Sequence, residues 1–349
     1  MNKLGCLLHP ILSFLSIIYA AIKLVITKLA VISRAKSSDG KVTDITPVSL
    51  LEVKVTLPIK LIFEGEEGIV RKYDPTELAQ SPKIMLGEGT LGTLYKVILN
   101  CGSIVTVRVI RQGFANPINF ELWTHFFGAI RNAYLLPLQL GFWYGGEAFL
   151  VYDYLCLGSL EELLHGSEGI QFTPLSWETR RHIALCVAKG VAFLHNHFTK
   201  KGNAIVCGVI KASNILIRTD CRACLSGYET PYLVAPATII RRNPGRVAPE
   251  LTSSQHYPKM FTPKSDVYSF GILLLELITG KRSIVTNLGE YVIEKRKREG
   301  LRGICDPKLG DLKASMTEII AIAENCLSDN PKKRPSMETV VQMLQQMED

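Results

Sequence analysis

The pattern of apolar and polar residues changes its character once along the chain. Between residues 83 and 154, short runs alternate around glycines, which is typical of β-strands and tight turns. Further on, apolar residues recur at helical spacing, and we expect helices over Trp177–His195, over Ser265–Thr279 and from Met316 to the C-terminus. The sequence therefore predicts an α+β fold, in which a small β-rich part and a larger helical part join near Tyr152–Leu155.

Two local signals refine the β-rich part. The glycine pair Gly145-Gly146 lies inside the apolar run "FWYGGEAFLVYDY" and predicts a hairpin turn. Asn116 followed by Pro117 is a typical helix start, because the asparagine side chain caps free N–H groups and proline suits the first turn. We expect this helix to run to Arg131.

The first 33 residues have a different composition from the rest. In the largely apolar stretch from Leu4 to Ile22, His9 is the only side chain that titrates near neutral pH, and the stretch is about long enough to cross a bilayer. Only Lys3 and the amino terminus carry positive charge before it, and four cations follow it: Lys23, Lys28, Arg34 and Lys36. This bias predicts a single membrane span within residues 1–33, with the bulk of the chain in the cytosol behind a juxtamembrane linker over 34–75. A cleaved signal peptide and a helix lying in the membrane interface are the alternatives.

Composition and charge narrow the class of protein. The chain has 349 residues, of which 47% are apolar, so it can bury a large core. The net charge of +8 suits attraction to anionic lipids, but no basic stripe with interleaved aromatic residues points to nucleic acid. The nine cysteines show no repeating spacing, which argues against a disulfide scaffold and for a reducing compartment.

Three glycines between two predicted strands form a candidate phosphate loop. Gly87, Gly89, Gly92 and Leu94 match the pattern G-x-G-x-x-G-x-V, with leucine in the last place. Glycine lets the backbone approach phosphates with its free N–H groups. Alone the pattern is weak, and a plain hairpin turn would explain it. Here a strand "VTVR", a helix, a hairpin and the segment "KASNILI" follow it in the order found in protein kinases.

Several segments together resemble the protein kinases, and most closely the plant leucine-rich-repeat receptor-like kinases, in the branch with many inactive members. They are "LVYDYLCLGSLEELLHG", "LSWETRRHIALCVAKGVAFLH", "KASNILI", "VAPEL", "SDVYSFGILLLELITGK", "DPKL" and "NPKKRPSMETVVQML". The resemblance starts near residue 61 and reaches the C-terminus. It implies a two-lobed protein kinase-like fold, with an N-lobe over 76–152 and a C-lobe over 153–349, at the plasma membrane. No repeat ectodomain precedes the apolar segment, so we expect no direct capture of an extracellular ligand.

The same resemblance places four of the family's catalytic positions on unsuitable residues. Arg108 stands for the phosphate-binding lysine, Trp123 for its glutamate partner, Val209 for the base and Gly227 for the metal-binding aspartate. Loss of the base alone costs about 10²–10⁴ in rate, and a glycine offers Mg²⁺ no side-chain oxygen. Glu229 is a poor substitute, because it takes the family's glycine position. We therefore predict no catalysis and no metal site; the alternative is a protein Ser/Thr kinase with residual or atypical ATP-dependent activity.

Other family positions are retained. Lys211, Asn214 and Leu216 match residues of the family's nucleotide site. Together with Arg108 and the glycine-loop residues they form a residual nucleotide site, for which we expect weak ATP binding without magnesium and no required cofactor. Three residues match the family's structural anchors: Glu250, Asp266 and Arg334. The chain thus keeps the family's structural anchors but lacks its catalytic groups. This combination predicts a scaffold or allosteric role, with active receptor-like kinases or other signalling proteins as partners.

Overall fold

The computed structural model describes residues 59–65, 73–110, 116–166, 175–208, 210–253 and 260–347. The predicted membrane segment 1–33, most of the predicted linker and Val209 lie outside the described residues. Among the helices that are described, none combines the length and the apolar character needed to cross a bilayer.

The N-terminal lobe is built on a six-stranded antiparallel sheet with the strand order β1-β5-β6-β4-β3-β2. The strands are β1 Ile59–Glu64, β2 Lys83–Glu88, β3 Gly92–Ile98, β4 Ile104–Ile110, β5 Leu138–Tyr144 and β6 Glu147–Asp153. Two helices pack on this sheet, α1 Pro75–Gln80 and α2 Pro117–Gly128. Because side chains alternate along a strand, Val105 and Val107 enter one apolar core with Leu78 of α1, while Leu150 enters another with Phe120 of α2.

Strand β1 lies within residues 34–75, so the sheet begins earlier than the linker prediction placed it. Its sequence "IKLIFE" pairs with β5 and buries Ile62. The stretch "LLEVKVTLPIKLIF", which contains most of β1, has strand-like pieces, but the polar residues around it favoured a linker. Pairing with β5 satisfies the backbone groups along the inner edge of β1, which lies at the edge of the sheet.

The C-terminal lobe is helical. Its helices are α3 Leu160–His165, α4 Trp177–His195, α5 Thr230–Leu233, α6 Pro236–Arg242, α7 Pro249–Ser253, α8 Pro263–Thr279, α9 Leu288–Glu299, α10 Ala314–Cys326 and α11 Met337–Gln346. A two-stranded ribbon, β7 Ile215–Ile217 and β8 Ala223–Leu225, faces the cleft between the lobes. Helices α4 and α8 supply the largest shares of the core, and the Trp177 indole N–H donates to Ser315 Oγ at 2.8 Å.

The helix predictions have mixed outcomes. Helix α4 has the predicted bounds, and Asn116 caps α2, which ends at Gly128 rather than Arg131. The single helix predicted from Met316 to the C-terminus is wrong, because residues 327–336 separate α10 from α11. Two prolines lie in this break, Pro331 and Pro335, and each lacks the N–H group that a continuous helix would use.

Gly271 sets the distance between α8 and α10. A Cβ atom there would lie 2.8 Å from Cys326 Cβ and 3.0 Å from Leu327 Cγ. We expect Gly271→Ala to lower the free energy of unfolding by about 1–3 kcal/mol, because the crowding outweighs the better helix propensity of alanine. Chemical denaturation measures this change.

The matched control is Gly289→Ala in α9, where the nearest atom to an added Cβ would be Asn287 Oδ1 at 3.7 Å. This variant should be as stable as the wild type or slightly more stable. Equal effects of the two substitutions would show that Gly271 does not set the helix spacing.

Candidate functional site

A cleft with a volume of about 350 Å³ lies between the sheet and the helical lobe. This is the size range of small-ligand sites. Its lining includes seven of the eight residues predicted for a nucleotide site: Gly87, Gly89, Leu94, Arg108, Lys211, Asn214 and Leu216. Thr106 and Tyr154 also line it.

The eighth residue, Gly92, does not line the cleft but allows the close pairing of two strands. A Cβ atom at Gly92 would lie 2.0 Å from the Val109 carbonyl oxygen, so β3 and β4 can pair here only with glycine. Gly89 is different, because a Cβ there would lie 3.1 Å from Arg108 Nη1. The turn between β2 and β3 thus brings the backbone at Gly89 close to a guanidinium group.

Strand geometry brings Arg108 and Tyr152 to the same face of the sheet. Thr106 lies two residues before Arg108 on β4 and pairs directly with Tyr152 on β6. Since side chains two apart share a face, and cross-strand partners do too, all three point towards the cleft. Arg108 is only 5% exposed there, so its charge requires a partner within the protein.

That partner is Glu229, which comes from residues 227–250, the stretch that matches the family's activation segment. Glu229 Oε1 lies 3.9 Å from Arg108 Nε and accepts a hydrogen bond from the Tyr152 hydroxyl at 2.9 Å. Glu229 is 4% exposed and has ordinary helical backbone angles at the start of α5. The sequence analysis considered it only as a substitute metal ligand. The sequence signal was that Glu229 is the one charged residue in "LSGYETPYL". A carboxylate that is buried among such residues needs a cation as its partner.

Trp123 takes part in an aromatic cluster where the family would place the glutamate partner of the lysine. Its ring stacks on Phe127 with a centroid distance of 5.7 Å and lies 4.3 Å from the ring of Tyr232. Tyr232 belongs to α5, and its hydroxyl accepts a hydrogen bond from the Val206 N–H at 2.8 Å. Helix α2 therefore contacts the activation segment through apolar rings.

The cleft does not fit a magnesium ion at the position where the family binds it. Gly227 adopts a left-handed conformation (φ 75°), and a Cβ atom there would lie 3.0 Å from Asn214 Nδ2. Three acids line the cleft elsewhere. Glu88 lies on β2, Glu162 accepts from the Ser159 N–H at 2.7 Å, and Glu161 pairs with Arg282 at 3.0 Å. A hard dication needs several converging oxygens, and these side chains do not provide them beside Asn214.

The activation segment packs against the loop that would carry the base. Val209 itself is outside the described residues, but Gly208 has φ 81°, and a Cβ there would lie 2.4 Å from Pro231 Cγ of α5. Asn243, just after α6, accepts a hydrogen bond from Lys211 Nζ at 3.2 Å. Ile239 and Asn243 line the cleft, so the segment forms one of its walls.

Burial changes the acid–base properties of two cleft residues. Burial, together with the nearby Arg246 and Arg108 charges, lowers the pKa of the Lys211 ammonium to about 8. Burial and the neighbouring Glu229 carboxylate raise the pKa of Tyr152, which keeps its hydroxyl as a proton donor to that carboxylate.

The predicted structural anchors hold the helical lobe together. Arg334 is buried and binds Glu250 through two hydrogen bonds of 2.7 and 2.8 Å. Asp266 accepts from the Cys207 and Gly208 N–H groups at 2.7 and 2.9 Å, and thereby fixes the loop before Val209. Bidentate and charge-assisted bonds of this kind are the strong ones in proteins.

Comparison with known proteins gives a consistent set of matches. A family model of the protein kinase domain matches residues 81–344. The chain is 34% identical over 300 residues to a protein of Arabidopsis thaliana named "Probable inactive receptor kinase". The aligned region covers 82% of this chain and 44% of that protein. The chain spans about half the length of the curated relatives that it matches (44–55%).

Two solved structures are similar to it as well. The maize SIRK1 kinase domain bound to AMP-PNP has a TM-score of 0.71 at 26% identity, over 82% of this chain and 99% of that chain. The pseudokinase domain of BIR2, described as an immune regulator of the RLK/Pelle family, has a TM-score of 0.63 at 26% identity, over 84% and 90%.

A double-mutant cycle tests the ion pair in the cleft. We expect Arg108→Met and Glu229→Gln each to lower the free energy of unfolding by about 3–5 kcal/mol, because each leaves one buried partner uncompensated. The double variant should lose less than the sum, with a coupling of at least about 1 kcal/mol.

The exposed pair Lys60–Glu121, 2.6 Å apart, provides the control cycle. Lys60→Met and Glu121→Gln should show a coupling below about 1 kcal/mol, because water screens both groups. If the Arg108 and Glu229 effects simply add, the two side chains do not form a pair.

Proposed function

Because this chain belongs to the protein kinase family, we propose that it is a membrane-anchored receptor-like pseudokinase that works without transferring phosphate. It acts as a scaffold or an allosteric partner in signalling by active receptor kinases, with its kinase-like domain in the cytosol. The observation that carries the proposal is the buried contact of Arg108 with Glu229.

Phosphoryl transfer requires three things that this cleft lacks. It needs a base for the acceptor hydroxyl, carboxylates that hold magnesium, and a cation free to bind the nucleotide phosphates. The base position is Val209, and the metal position is Gly227. The cation, Arg108, already contacts a carboxylate of the activation segment.

The frame around the cleft supports a role that depends on shape. The Arg334–Glu250 pair and the Asp266 contacts fix the helical lobe, and the three side chains that make them do not line the cleft. A partner protein that recognises a kinase-like surface needs this frame and does not need catalysis. The similarity to relatives named inactive receptor kinases, and to a pseudokinase described as an immune regulator, supports the same reading.

The location at the plasma membrane rests on the composition of residues 1–33. This apolar segment with cations behind it would hold the kinase-like domain close to receptor kinases in the same membrane. Tethering two proteins to one surface raises their effective concentration, so a weak contact between them suffices.

The first prediction is that the purified chain transfers no phosphate from Mg²⁺–ATP to itself or to a generic protein substrate. The control is Lys211→Ala, which removes the retained catalytic-loop lysine. The wild type should give no signal above this variant in a radiolabel assay. Wild-type activity that disappears in Lys211→Ala would support the alternative of an atypical kinase.

The second prediction concerns partners. Crosslinking of the tagged full chain in native plant membranes, followed by mass spectrometry, should recover active receptor kinases. The control is residues 1–56 fused to an unrelated soluble domain, which keeps the membrane segment and loses the kinase-like domain. Recovery of the same proteins by the control, or a full chain that crosslinks to nothing, would contradict the proposal.

A further inference from the structure

A small cavity lies between α2, the sheet and the start of α5, and its volume is about 10 Å³. Five of its lining side chains are apolar or aromatic without a hydroxyl: Trp123, Phe127, Leu138, Leu150 and Leu233. Three others carry oxygen atoms that are described below: Thr124 on α2, Tyr152 on β6 and Glu229 just before α5. The cavity is thus separate from the nucleotide-site residues but shares Tyr152 with the cleft.

The Thr124 hydroxyl is a buried polar group without a partner. Thr124 is 2% exposed, and its Oγ1 is one of two buried side-chain atoms in the described part of the chain that have no hydrogen-bond partner. A threonine inside a helix can bond back to a carbonyl of the preceding turn, but this hydroxyl does not.

The two branches of the Thr124 side chain have different neighbours. The methyl group faces β5, because a Cβ atom at Gly141 would lie 2.3 Å from Thr124 Cγ2. Gly141 does not line the cavity, whereas Thr124 does. The hydroxyl is therefore the branch that is directed to the cavity.

The Glu229 carboxylate can accept more hydrogen bonds than the protein gives it. Its Oε1 accepts from the Tyr152 hydroxyl at 2.9 Å, and Arg108 Nε lies 3.9 Å from the same atom, which is too far for a hydrogen bond. An ionised carboxylate accepts about four hydrogen bonds. The Tyr152 oxygen, which donates its proton to Glu229, also keeps a lone pair. Both groups can therefore bind a ligand in the cavity.

Size and polarity together define that ligand. A purely apolar cavity of this kind stays dry, but a polar one of about 10–15 Å³ holds one water molecule when two to four polar groups bind it. Thr124, Tyr152 and Glu229 supply three such groups, and the volume of about 10 Å³ is too small for an organic molecule. Burying a hydroxyl without a hydrogen bond is unfavourable, so the water also removes a cost at Thr124.

We propose that this cavity binds one structural water molecule, which donates to the Glu229 carboxylate and bonds to Thr124 Oγ1. The water gives α2 a polar link to the activation segment, in addition to the packing of Trp123 on Tyr232. The site goes beyond the proposed function, and it does not depend on whether the chain has a partner or transfers phosphate.

The water also fixes the carboxylate that faces Arg108. Tyr152 binds the carboxylate from β6, and the water binds it from the side of α2. Rotation of the Glu229 side chain away from Arg108 then breaks bonds on both sides. A shift of α2, which carries Thr124, therefore loosens Glu229 and with it the start of α5.

The sign of the stability change in Thr124→Val tests the water site. Valine has nearly the shape of threonine, lacks the hydroxyl and has a similar helix propensity. If the water binds the hydroxyl, the variant loses a hydrogen-bonded group, and we expect the melting temperature of the full chain to fall by about 1–3 °C. If the hydroxyl is unpaired, the variant removes an unfavourable group and melts at a higher temperature. An unchanged or raised melting temperature overturns the proposal.

The matched control is Thr279→Val in α8. Thr279 is 5% exposed, and its hydroxyl donates directly to the Leu275 carbonyl oxygen at 2.7 Å. This variant should also melt at a lower temperature, because a bonded hydroxyl is lost. The changes at residues 124 and 279 should therefore have the same sign, and opposite signs contradict a bound water at Thr124.

A crystal structure of the full chain provides a measurement that does not depend on stability. The electron density should contain one water peak within about 2.6–3.2 Å of both Thr124 Oγ1 and a Glu229 oxygen. A well-defined cavity without this peak, or with a peak that contacts neither group, overturns the proposal. Neither result changes the expected crosslinking to receptor kinases.

Discussion

The organisation of the cleft depends on one constraint, which is that a buried guanidinium needs a negative partner. Arg108 lies on the inner face of the sheet, where water cannot compensate its charge. Glu229 meets that need from the activation segment, with Tyr152 as a second ligand of the same carboxylate oxygen. The start of α5 is thereby drawn under the sheet, and Trp123 on α2 packs on Tyr232 of that helix. This contact and the aromatic rings beside it hold the start of α5 against the sheet and α2.

The frame and the cleft are stabilised by different sets of contacts. Arg334 with Glu250, Arg180 with Asp306, and Asp266 with the backbone before Val209 all lie within the helical lobe. Of these groups, only the backbone at Cys207 borders the cleft. Changes of chemistry in the cleft therefore leave the lobe intact, and this separation explains how a kinase-like shape can persist around a site that lacks the catalytic groups.

Local signals in the sequence predicted a large part of this fold. The bounds of α4, the Asn116 cap and the glycine hairpin after β5 follow from periodicity and turn chemistry, which act over a few residues. Features that depend on distant partners were missed. Strand β1 is stabilised by β5, about 80 positions away, and Glu229 finds Arg108 only in the folded chain, 121 positions away. A motif alignment reports which catalytic groups are absent, but it cannot report how the remaining charges pair again.

The contact of Gly208 with Pro231 has a consequence for the history and the engineering of such a cleft. Any side chain at residue 208 would collide with the proline ring, and the left-handed backbone there adds strain. An arginine could occupy this position only if the activation segment moved away from it. A single substitution at residue 208 would therefore clash with Pro231 and disturb the packing of α5. A larger side chain there requires a change in the activation segment first.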